Sequence, residues 1–478
     1  MRYGDNPVVE FSEDRLNRRA SVEAVRRLLE DDKLDTPLAL GIFGEWGSGK
    51  TSVMRMLHAE LPSHHVSLWF DAWHYAHQEE TLWRALLLAV VERLRDEVDR
   101  VAKQMVGNGD VNDERAKLEG ELDELVTTLY RSHEYQQVGD LKVNWQAAIP
   151  LGIQMAFAFL PAGKGIADNI MSWFSKDGKA KEVMSLIERE RTMVYRDQVR
   201  SLEQFQHALR PLIAKYLSPG IPDHSKRLLF VFIDDLDRCL PEAAVGALEA
   251  LKLFLDVPSC VFVLGMDRRI VEQGIRVRYQ QSAVIEVASP RVTNPELYID
   301  ASQYLDKIIQ IPFTLPPLAE SQIAALIEGW ARDHDDQIVL DSCADIIVRG
   351  VTANPRRVKR TLNVLRLVRS LRPMPDKADS LQELQRLTKL VVLQTSYEDV
   401  YERVVESPRA LKALEAAALS PVEGTEEMKI IEANPRLTRM LQSGARFTEM
   451  RDEELDELLY VARVSHASSG LAGQGDRG

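Results

Sequence analysis

Residues 44–51 read Gly44-Glu45-Trp46-Gly47-Ser48-Gly49-Lys50-Thr51. The apolar run Leu38–Phe43 precedes them and a helical pattern follows over 53–57, so the segment predicts a strand, a glycine-rich loop and a helix that begins near Gly49. In this arrangement consecutive backbone N–H groups surround a phosphate, and the positive end of the helix faces the same anion. The segment therefore predicts a binding site for a nucleoside triphosphate.

The loop residues have predicted roles in this site. Lys50 would reach the β- and γ-phosphates and act in catalysis, and Thr51 would place its hydroxyl on Mg²⁺. The residues expected to contact the nucleotide here are Gly44, Glu45, Trp46, Gly47, Ser48, Gly49, Lys50, Thr51 and Ser52. Trp46 and the downstream Trp73 could pack in the core or shape the pocket, and core packing is the expectation for both.

A second segment supplies the acidic half of the predicted site. Leu228–Ile233 is a run of six apolar residues, typical of a central parallel strand covered on both faces, and aspartates follow it. Asp234 would be the Mg²⁺ ligand, and Asp235 would be the catalytic base that polarises the attacking water. Asp237 and Arg238 have two interpretations, a helix cap with a surface partner or a catalytic role.

Further short apolar segments fit the same sheet. They are Val66–Phe70, Cys260–Gly265 and Lys307–Phe313, with helices such as Glu242–Leu255 between them. The pattern predicts the α/β class, with a doubly wound parallel-sheet core whose ligand lies at the carboxyl ends of the strands. Asp267 falls at such an end, where related ATPases keep a polar residue that senses the γ-phosphate. Arg268 or Arg269 could reach a neighbouring subunit or form a solvated basic turn.

Six segments, in this order along the chain, resemble the KAP family of P-loop NTPases. They are Gly41–Thr51, Phe70–Trp73, Phe232–Cys239, Gly265–Asp267, Tyr304–Ile309 and Asn354–Arg360. The resemblance implies an additional-strand ATPase related to the signal-transducing switch NTPases, with a long insertion and a helical lid after the core. ATP and Mg²⁺ are the expected ligands, and bacterial defence against phage or mobile elements is the implied setting.

A basic segment after the core is the expected lid. Asn354 is suited to N-cap a helix whose first residue is Pro355. The family comparison places in the lid an arginine that touches the γ-phosphate, and Arg356 or Arg357 fits this role. The same arginines could lie on a solvated basic helix. A nucleic-acid face is the third interpretation, but no aromatic residues interleave with the basic ones between 349 and 372.

The distance along the chain between Lys50 and Asp234 predicts a large helical insertion. Its first part, Val91–Gln137, has the apolar spacing of an antiparallel helical hairpin turned at 107–110, and Ala180–Leu217 has the pattern of a long helix. The uncharged stretch 143–163 could be a buried apolar segment or a membrane contact. Its polar residues and prolines argue against a membrane span, which needs about 20 mostly apolar residues.

Composition limits the partners and the compartment. The 478-residue chain has a formal net charge of -13, so it has no overall attraction to nucleic acid or anionic lipid, and we expect no nucleic-acid partner. Cys239, Cys260 and Cys343 are far apart and lack metal-ligand spacing. Together with a start that has no signal-peptide pattern, they predict a cytoplasmic protein with reduced thiols, which could be peripheral to the inner membrane through 143–163.

These signals predict a domain order and a function. The predicted domains are the first part of the NTPase core (1–89), the insertion (90–222), the second part of the core (223–318), the lid (319–375), a C-terminal helical region (376–464) and a disordered tail (465–478). We expect a slowly hydrolysing ATP-dependent switch that forms a homo-oligomer in the ATP state or engages an unidentified protein partner. The alternatives are a membrane-associated ATPase scaffold and a nucleic-acid-dependent ATPase.

Overall fold

The computed structural model describes residues 6–31, 33–75, 82–106, 110–136, 207–217, 227–254, 257–286, 300–371, 378–421 and 424–463. Its strands are β1 (Leu38–Phe43), β2 (Val66–Asp71), β3 (Leu229–Asp234), β4 (Cys260–Met266) and β5 (Ile311–Thr314). They form one parallel sheet in the order β2-β3-β4-β1-β5. Because β4 lies between the phosphate-loop strand β1 and the acidic strand β3, the sheet has the additional-strand arrangement that the family resemblance implies.

Helices surround the sheet and follow it. Those in the sheet region are α1 (Arg19–Leu29), α2 (Lys50–Ala59), α3 (Leu82–Arg95), α4 (Val98–Val106), α5 (Val111–Gln136), α6 (207–217), α7 (Pro241–Phe254), α8 (Arg268–Glu286) and α9 (Ala301–Ile308). Those after the sheet are α10 (Glu320–His334), α11 (Gln337–Gly350), α12 (Pro355–Leu371), α13 (Ala378–Ser396), α14 (Glu398–Glu406), α15 (Pro408–Leu419), α16 (Glu426–Ala433), α17 (Pro435–Leu441) and α18 (Asp452–Arg463). The predicted α/β core with helical regions is confirmed.

The central strands are buried on both faces, as the continuous apolar runs predict. On β3, Leu229, Val231 and Ile233 pack against α3 and α7 on one face of the sheet. Phe230 and Phe232 point to the opposite face and pack with α1 and α2. Alternate residues of a strand reach opposite faces, so a run of apolar residues suits a strand covered by helices on both sides. This doubly wound packing leaves the carboxyl ends of the strands as the edge where a ligand binds.

The described part of the insertion is helical. Val101 and Ala102 of α4 share a hydrophobic core with Leu118 and Leu122 of α5, which is the packing that the predicted hairpin requires. The turn of that hairpin at 107–109 lies outside the described residues, as do 143–163, most of the predicted helix 180–217 and the tail 465–478. No helix in the described ranges combines the length and the apolar composition needed to cross a membrane.

The helices after the sheet share a second hydrophobic core. This core includes residues from Leu318 at its start to Ala462 near the end of α18. It also contains an ion pair between Lys389 and Glu415, at 3.1 Å, whose side chains are both fully buried. The domain boundaries drawn from the sequence stay predictions.

The strand predicted over Lys307–Phe313 begins later than expected. Residues Tyr304, Leu305 and Ile308 have helical spacing and are buried on one face of α9, which therefore continues to Ile308. Gln310 N donates to Ala39 O of β1 at 3.1 Å, and the strand register with β1 begins at Ile311.

Candidate nucleotide-binding site

The loop between β1 and α2 has the backbone that phosphate binding requires. Gly47 and Gly49 have φ angles of 82° and 99°, in the left-handed region that favours glycine. Ser48 N donates to Glu45 O at 3.1 Å, and α2 begins at Lys50 directly after the loop. The loop therefore ends at a helix N-terminus, where backbone N–H groups and the helix dipole favour an anion.

The residues inside this loop fit a bound polyphosphate. The Lys50 ammonium is buried and lies 3.0 Å from Gly44 O and 3.3 Å from Glu45 O. The Ser48 hydroxyl is also buried and makes no hydrogen bond within the described part of the chain. Buried polar groups are nearly always hydrogen-bonded, so an orphaned hydroxyl in the loop that leads to the buried Lys50 points to a polar ligand.

The predicted metal ligands meet beside the loop. Asp234 at the end of β3 is 3% exposed, and its side chain hydrogen-bonds Thr51. Burial, and then the charge of Asp235, raise the pKa of Asp234 to about 6. Gly265 on β4 leaves room for this carboxylate, because a Cβ there would lie 2.9 Å from Asp234 Oδ1. Thr51 and Asp234 are thus the pair that would hold Mg²⁺.

Asp235, the predicted base, already has a partner. It has a φ of 58°, and its Oδ1 lies 3.0 Å from Arg238 Nε. Burial raises the pKa of Asp235, against the opposing effect of the Arg238 charge. Arg238 therefore pairs with the candidate base at the site.

Asp237 is buried, so the interpretation that gave it a surface partner is wrong. Its side chain is 2% exposed, and Oδ2 lies 3.3 Å from Lys50 Nζ. The same oxygen accepts a hydrogen bond from Asp267 N at 2.9 Å. Asp237 thus connects the phosphate loop, the end of β3 and the end of β4.

A cleft of about 1120 Å³ extends from the phosphate loop to the predicted lid. Arg356 and Lys359 of α12 line it on the lid side. Arg357 instead donates to Ser396 O on α13 at 3.3 Å and is not among the lining residues. Of the two arginines that the sequence could not separate, Arg356 is the one at the cleft.

The lid contacts the phosphate loop directly. Asn354 Nδ2 donates to Trp46 O at 2.8 Å, and the Arg356 guanidinium lies 4.1 Å from the centre of the Trp46 ring. A Cβ added at Gly47 would lie 2.7 Å from Arg356 Cβ. Asn354 Oδ1 also accepts from Arg356 N at 3.0 Å, so the predicted helix cap is confirmed.

Comparison with protein families matches residues 18–372 to the KAP family P-loop domain. The chain belongs to the KAP family. It is therefore a nucleotide-binding P-loop NTPase.

Solved structures similar to this KAP chain include an ORC2 protein and an ORC bound to DNA. A structure of the Aeropyrum pernix ORC2 protein in ADPNP-ADP complexes has a TM-score of 0.34 and 12% sequence identity, with 97% of this chain and 97% of that chain covered. A structure of Drosophila ORC bound to DNA has a TM-score of 0.29 and 11% identity, with 93% of this chain and 85% of that chain covered. Comparison with curated proteins finds no match.

The end of β4 in the KAP domain is tied to the phosphate loop through Arg269. Asp267 is 5% exposed, and its Oδ2 lies 3.2 Å from Arg269 Nη2. Arg269 Nη2 also lies 3.1 Å from Glu45 Oε1 in the loop. Arg268 pairs with Asp306 at 2.9 Å. Both arginines thus have partners within the chain, and a reach to a neighbouring subunit stays a prediction.

The expectation that Trp46 and Trp73 pack in the core is wrong. Trp46 is 57% exposed and Trp73 is 50% exposed. The Arg238 guanidinium lies 5.8 Å from the centre of the Trp46 ring and 5.6 Å from that of Trp73. Arg356 contacts Trp46 as well, so the rings pack against cations around the cleft, where cation–π attraction favours them.

The N-terminal segment 6–18, which has no predicted role, lies along the cleft of the KAP domain. Val8 N donates to Ser52 Oγ of α2 at 3.0 Å, and Arg15 pairs with Asp333 of α10 at 2.7 Å. The segment therefore connects the phosphate-loop helix to the lid. Its residues carry no motif that would have indicated these contacts.

Asp71 is a second residue without an assigned role in the sequence analysis. It lies at the end of β2, in register with Asp234 of β3, and it lines the cleft. After burial and the opposing charge of Arg238, the charge of Asp71 also affects the pKa of Asp235, raising it. Its position directly after an apolar strand was the available signal.

Proposed function

We propose that this KAP protein is an ATP-binding, slowly hydrolysing NTPase that acts as a nucleotide-dependent switch. The contact between lid and phosphate loop carries the proposal, because Asn354 of the lid donates to the loop carbonyl of Trp46 at 2.8 Å. The loop that would hold the phosphates is thus joined to the element that would report on them. Gain or loss of the γ-phosphate would then change the position of the lid.

The residues of the cleft have proposed roles in this reaction. Lys50 and the loop N–H groups bind the phosphates, and Asp235 orients and polarises the attacking water. Thr51 and Asp234 hold Mg²⁺, which when bound neutralises charge on the phosphate oxygens. Arg356 senses the γ-phosphate from the lid.

The surroundings of the base support slow turnover. The Asp235 carboxylate lies 3.0 Å from Arg238 Nε, and the positive charge of this partner makes the carboxylate a weaker base for the attacking water. An aspartate also reaches one methylene less far than a glutamate at the same position.

Asp267, at the end of β4, is proposed to respond to the γ-phosphate together with its partner Arg269.

The first experiment measures binding of ATP and ADP and turnover of ATP with Mg²⁺. Wild-type protein should bind both nucleotides and hydrolyse ATP slowly. Asp235→Asn should retain ATP binding and lose turnover by about 100-fold or more, since it removes a general base. Unchanged turnover would mean that another residue is the base. Lys50→Ala should lose nucleotide binding, and retained affinity would refute the loop assignment.

We also propose that the ATP state forms a homo-oligomer or engages a protein partner in the cytoplasm, in bacterial defence against phage or mobile elements. The family resemblance supports this part of the proposal. The test is the solution mass of wild-type and Asp235→Asn protein without nucleotide, with ADP and with ATP. An oligomer that forms only with ATP would support self-assembly, and an unchanged monomer in every state would refute the homo-oligomer and favour engagement of a protein partner. Phage plating on cells that express wild-type or Lys50→Ala protein tests the setting.

A further inference from the structure

The ammonium of Lys50 has no donor left for a phosphate in the arrangement that the structure shows. It lies 3.0 Å from Gly44 O, 3.3 Å from Glu45 O and 3.3 Å from Asp237 Oδ2. A lysine ammonium has three N–H donors, so these partners use all of them. A nucleotide phosphate can accept from Lys50 only if one of the three contacts is given up.

Of the three partners of Lys50, Asp237 is the one that is negatively charged, as an arriving phosphate is. The other two acceptors are carbonyls of the phosphate loop itself, whereas Asp237 presents an anionic oxygen from outside the loop. Its Oδ2 is shared between Lys50 and the backbone N–H of Asp267, and its Oδ1 is buried without a hydrogen bond inside the described ranges. The carboxylate is thus buried next to one cation, with part of its hydrogen-bonding capacity unused.

We infer that Asp237 is a positioning residue for Lys50, whose carboxylate holds the place of a phosphate oxygen until a nucleotide exchanges with it. The inference rests on the proposed nucleotide binding at the same loop. Before exchange the carboxylate keeps the buried ammonium paired and directed toward the cleft. During exchange one anion replaces another at Lys50, so the ammonium is never left without an acidic partner.

The exchange has a consequence for affinity. A ligand that binds only the fraction of molecules in which Lys50 is released binds more weakly, in proportion to that fraction. Removing the charge at position 237 raises the released fraction. The same change leaves a buried ammonium with carbonyl partners alone, which destabilises the protein without nucleotide. Tighter nucleotide binding and lower stability should therefore appear together.

The test measures the Kd for ADP in the presence of Mg²⁺ by isothermal titration calorimetry. Asp237→Asn keeps the side-chain shape and an acceptor for Asp267 N but removes the charge, and its Kd should fall by about tenfold. Asp237→Ser, which also keeps an oxygen acceptor, should change the Kd in the same direction and serves if the first variant does not fold. Asp123→Asn is the matched control, because it removes a carboxylate that pairs with Arg95 at 2.8 Å outside the cleft.

A purely structural role for Asp237 would give unchanged or weaker ADP binding in the folded variants, and that result would overturn the inference. The double-variant comparison isolates the pair. In a Lys50→Met background, which should not bind nucleotide, Asp237→Asn should no longer lower the unfolding free energy of the nucleotide-free protein, since no ammonium is left without its acidic partner. If wild-type protein binds no ADP, the proposed function fails and the inference with it. If wild-type protein binds ADP and Asp237→Asn binds no tighter, only the inference fails.

Discussion

Replacement of Gly47 by alanine tests the contact between the lid and the phosphate loop. The φ angle of Gly47 is 82°, and a Cβ there would lie 2.7 Å from Arg356 Cβ and 2.8 Å from Asn354 Oδ1. Ordinary contact between carbon atoms is about 3.5–4 Å. The start of α12 must therefore move away by roughly 1 Å, because the atom it meets is fixed to the helix backbone.

Two separate costs follow from the substitution. The left-handed backbone costs alanine about 1–2 kcal/mol in every folded state, whether or not the lid is in place. The steric overlap acts only where the lid touches the loop, and moving the lid loses the hydrogen bond from Asn354 to Trp46, at about 1 kcal/mol. It also loses the contact of Arg356 with the Trp46 ring, at about 0.5–1 kcal/mol. Together these losses favour a released lid by about 2 kcal/mol, or roughly 30-fold.

Gly49→Ala is the matched control, since Gly49 has a φ of 99° and nothing lies within 4 Å of an added Cβ. Both variants should lose unfolding free energy in urea titrations. Only Gly47→Ala should increase amide hydrogen exchange at the start of α12, by about 30-fold if exchange follows lid release. Equal exchange in the two variants would show that the lid does not rest on the loop in solution, and the switch proposal would lose its main support.

Three further predictions concern pH, a buried ion pair and the lid arginines. Burial lowers the pKa of His65 to about 4 in the folded state, so the unfolded chain takes up the proton first as pH falls. The unfolding free energy should then drop by about 2 kcal/mol between pH 7 and pH 5, and His65→Asn should remove this part of the pH dependence in urea titrations. Lys389→Met should lower the unfolding free energy by about 3–5 kcal/mol, because Glu415 is left buried without its cation. Adding Glu415→Gln should restore stability, and a double variant no more stable than Lys389→Met alone would contradict this. Arg356→Ala should weaken ATP binding about tenfold. Arg357→Ala should instead lower the unfolding free energy. Equal effects of the two variants on the Kd for ATP would refute the placement of Arg356 at the cleft.

The parts of the site that could be predicted are those with local signals. The strand Leu38–Phe43 has the same bounds in the sequence prediction and in the structure, because a continuous apolar run ends at a glycine-rich loop. The end of β3 was equally clear, since Asp234 follows six apolar residues. In both cases the backbone conformation and the burial are set by neighbours in the sequence.

The parts that could not be predicted depend on contacts between distant segments. The exposure of Trp46 depends on how the loop curls and on where α12 lies, and a tryptophan is otherwise expected in a core. Asp237 is two residues from Asp235, yet only the position of Lys50 shows that its carboxylate is buried. Successive residues of a helix point about 100° apart, so Arg356 and Arg357 could be assigned only after α13 was placed beside α12.

Asn354 shows why a local prediction can be right and still incomplete. Its Oδ1 caps α12 by accepting from Arg356 N, and serine, threonine or aspartate would suit that cap as well. Its Nδ2 donates to Trp46 O. An aspartate has no N–H to donate there, and the shorter side chain of a serine or threonine does not place a donor at the same point. The side chain must therefore accept on the lid side and donate on the loop side at the same time. One amide group thus joins the cap of the lid helix to the phosphate loop, and the two cannot separate without breaking its hydrogen bond to Trp46.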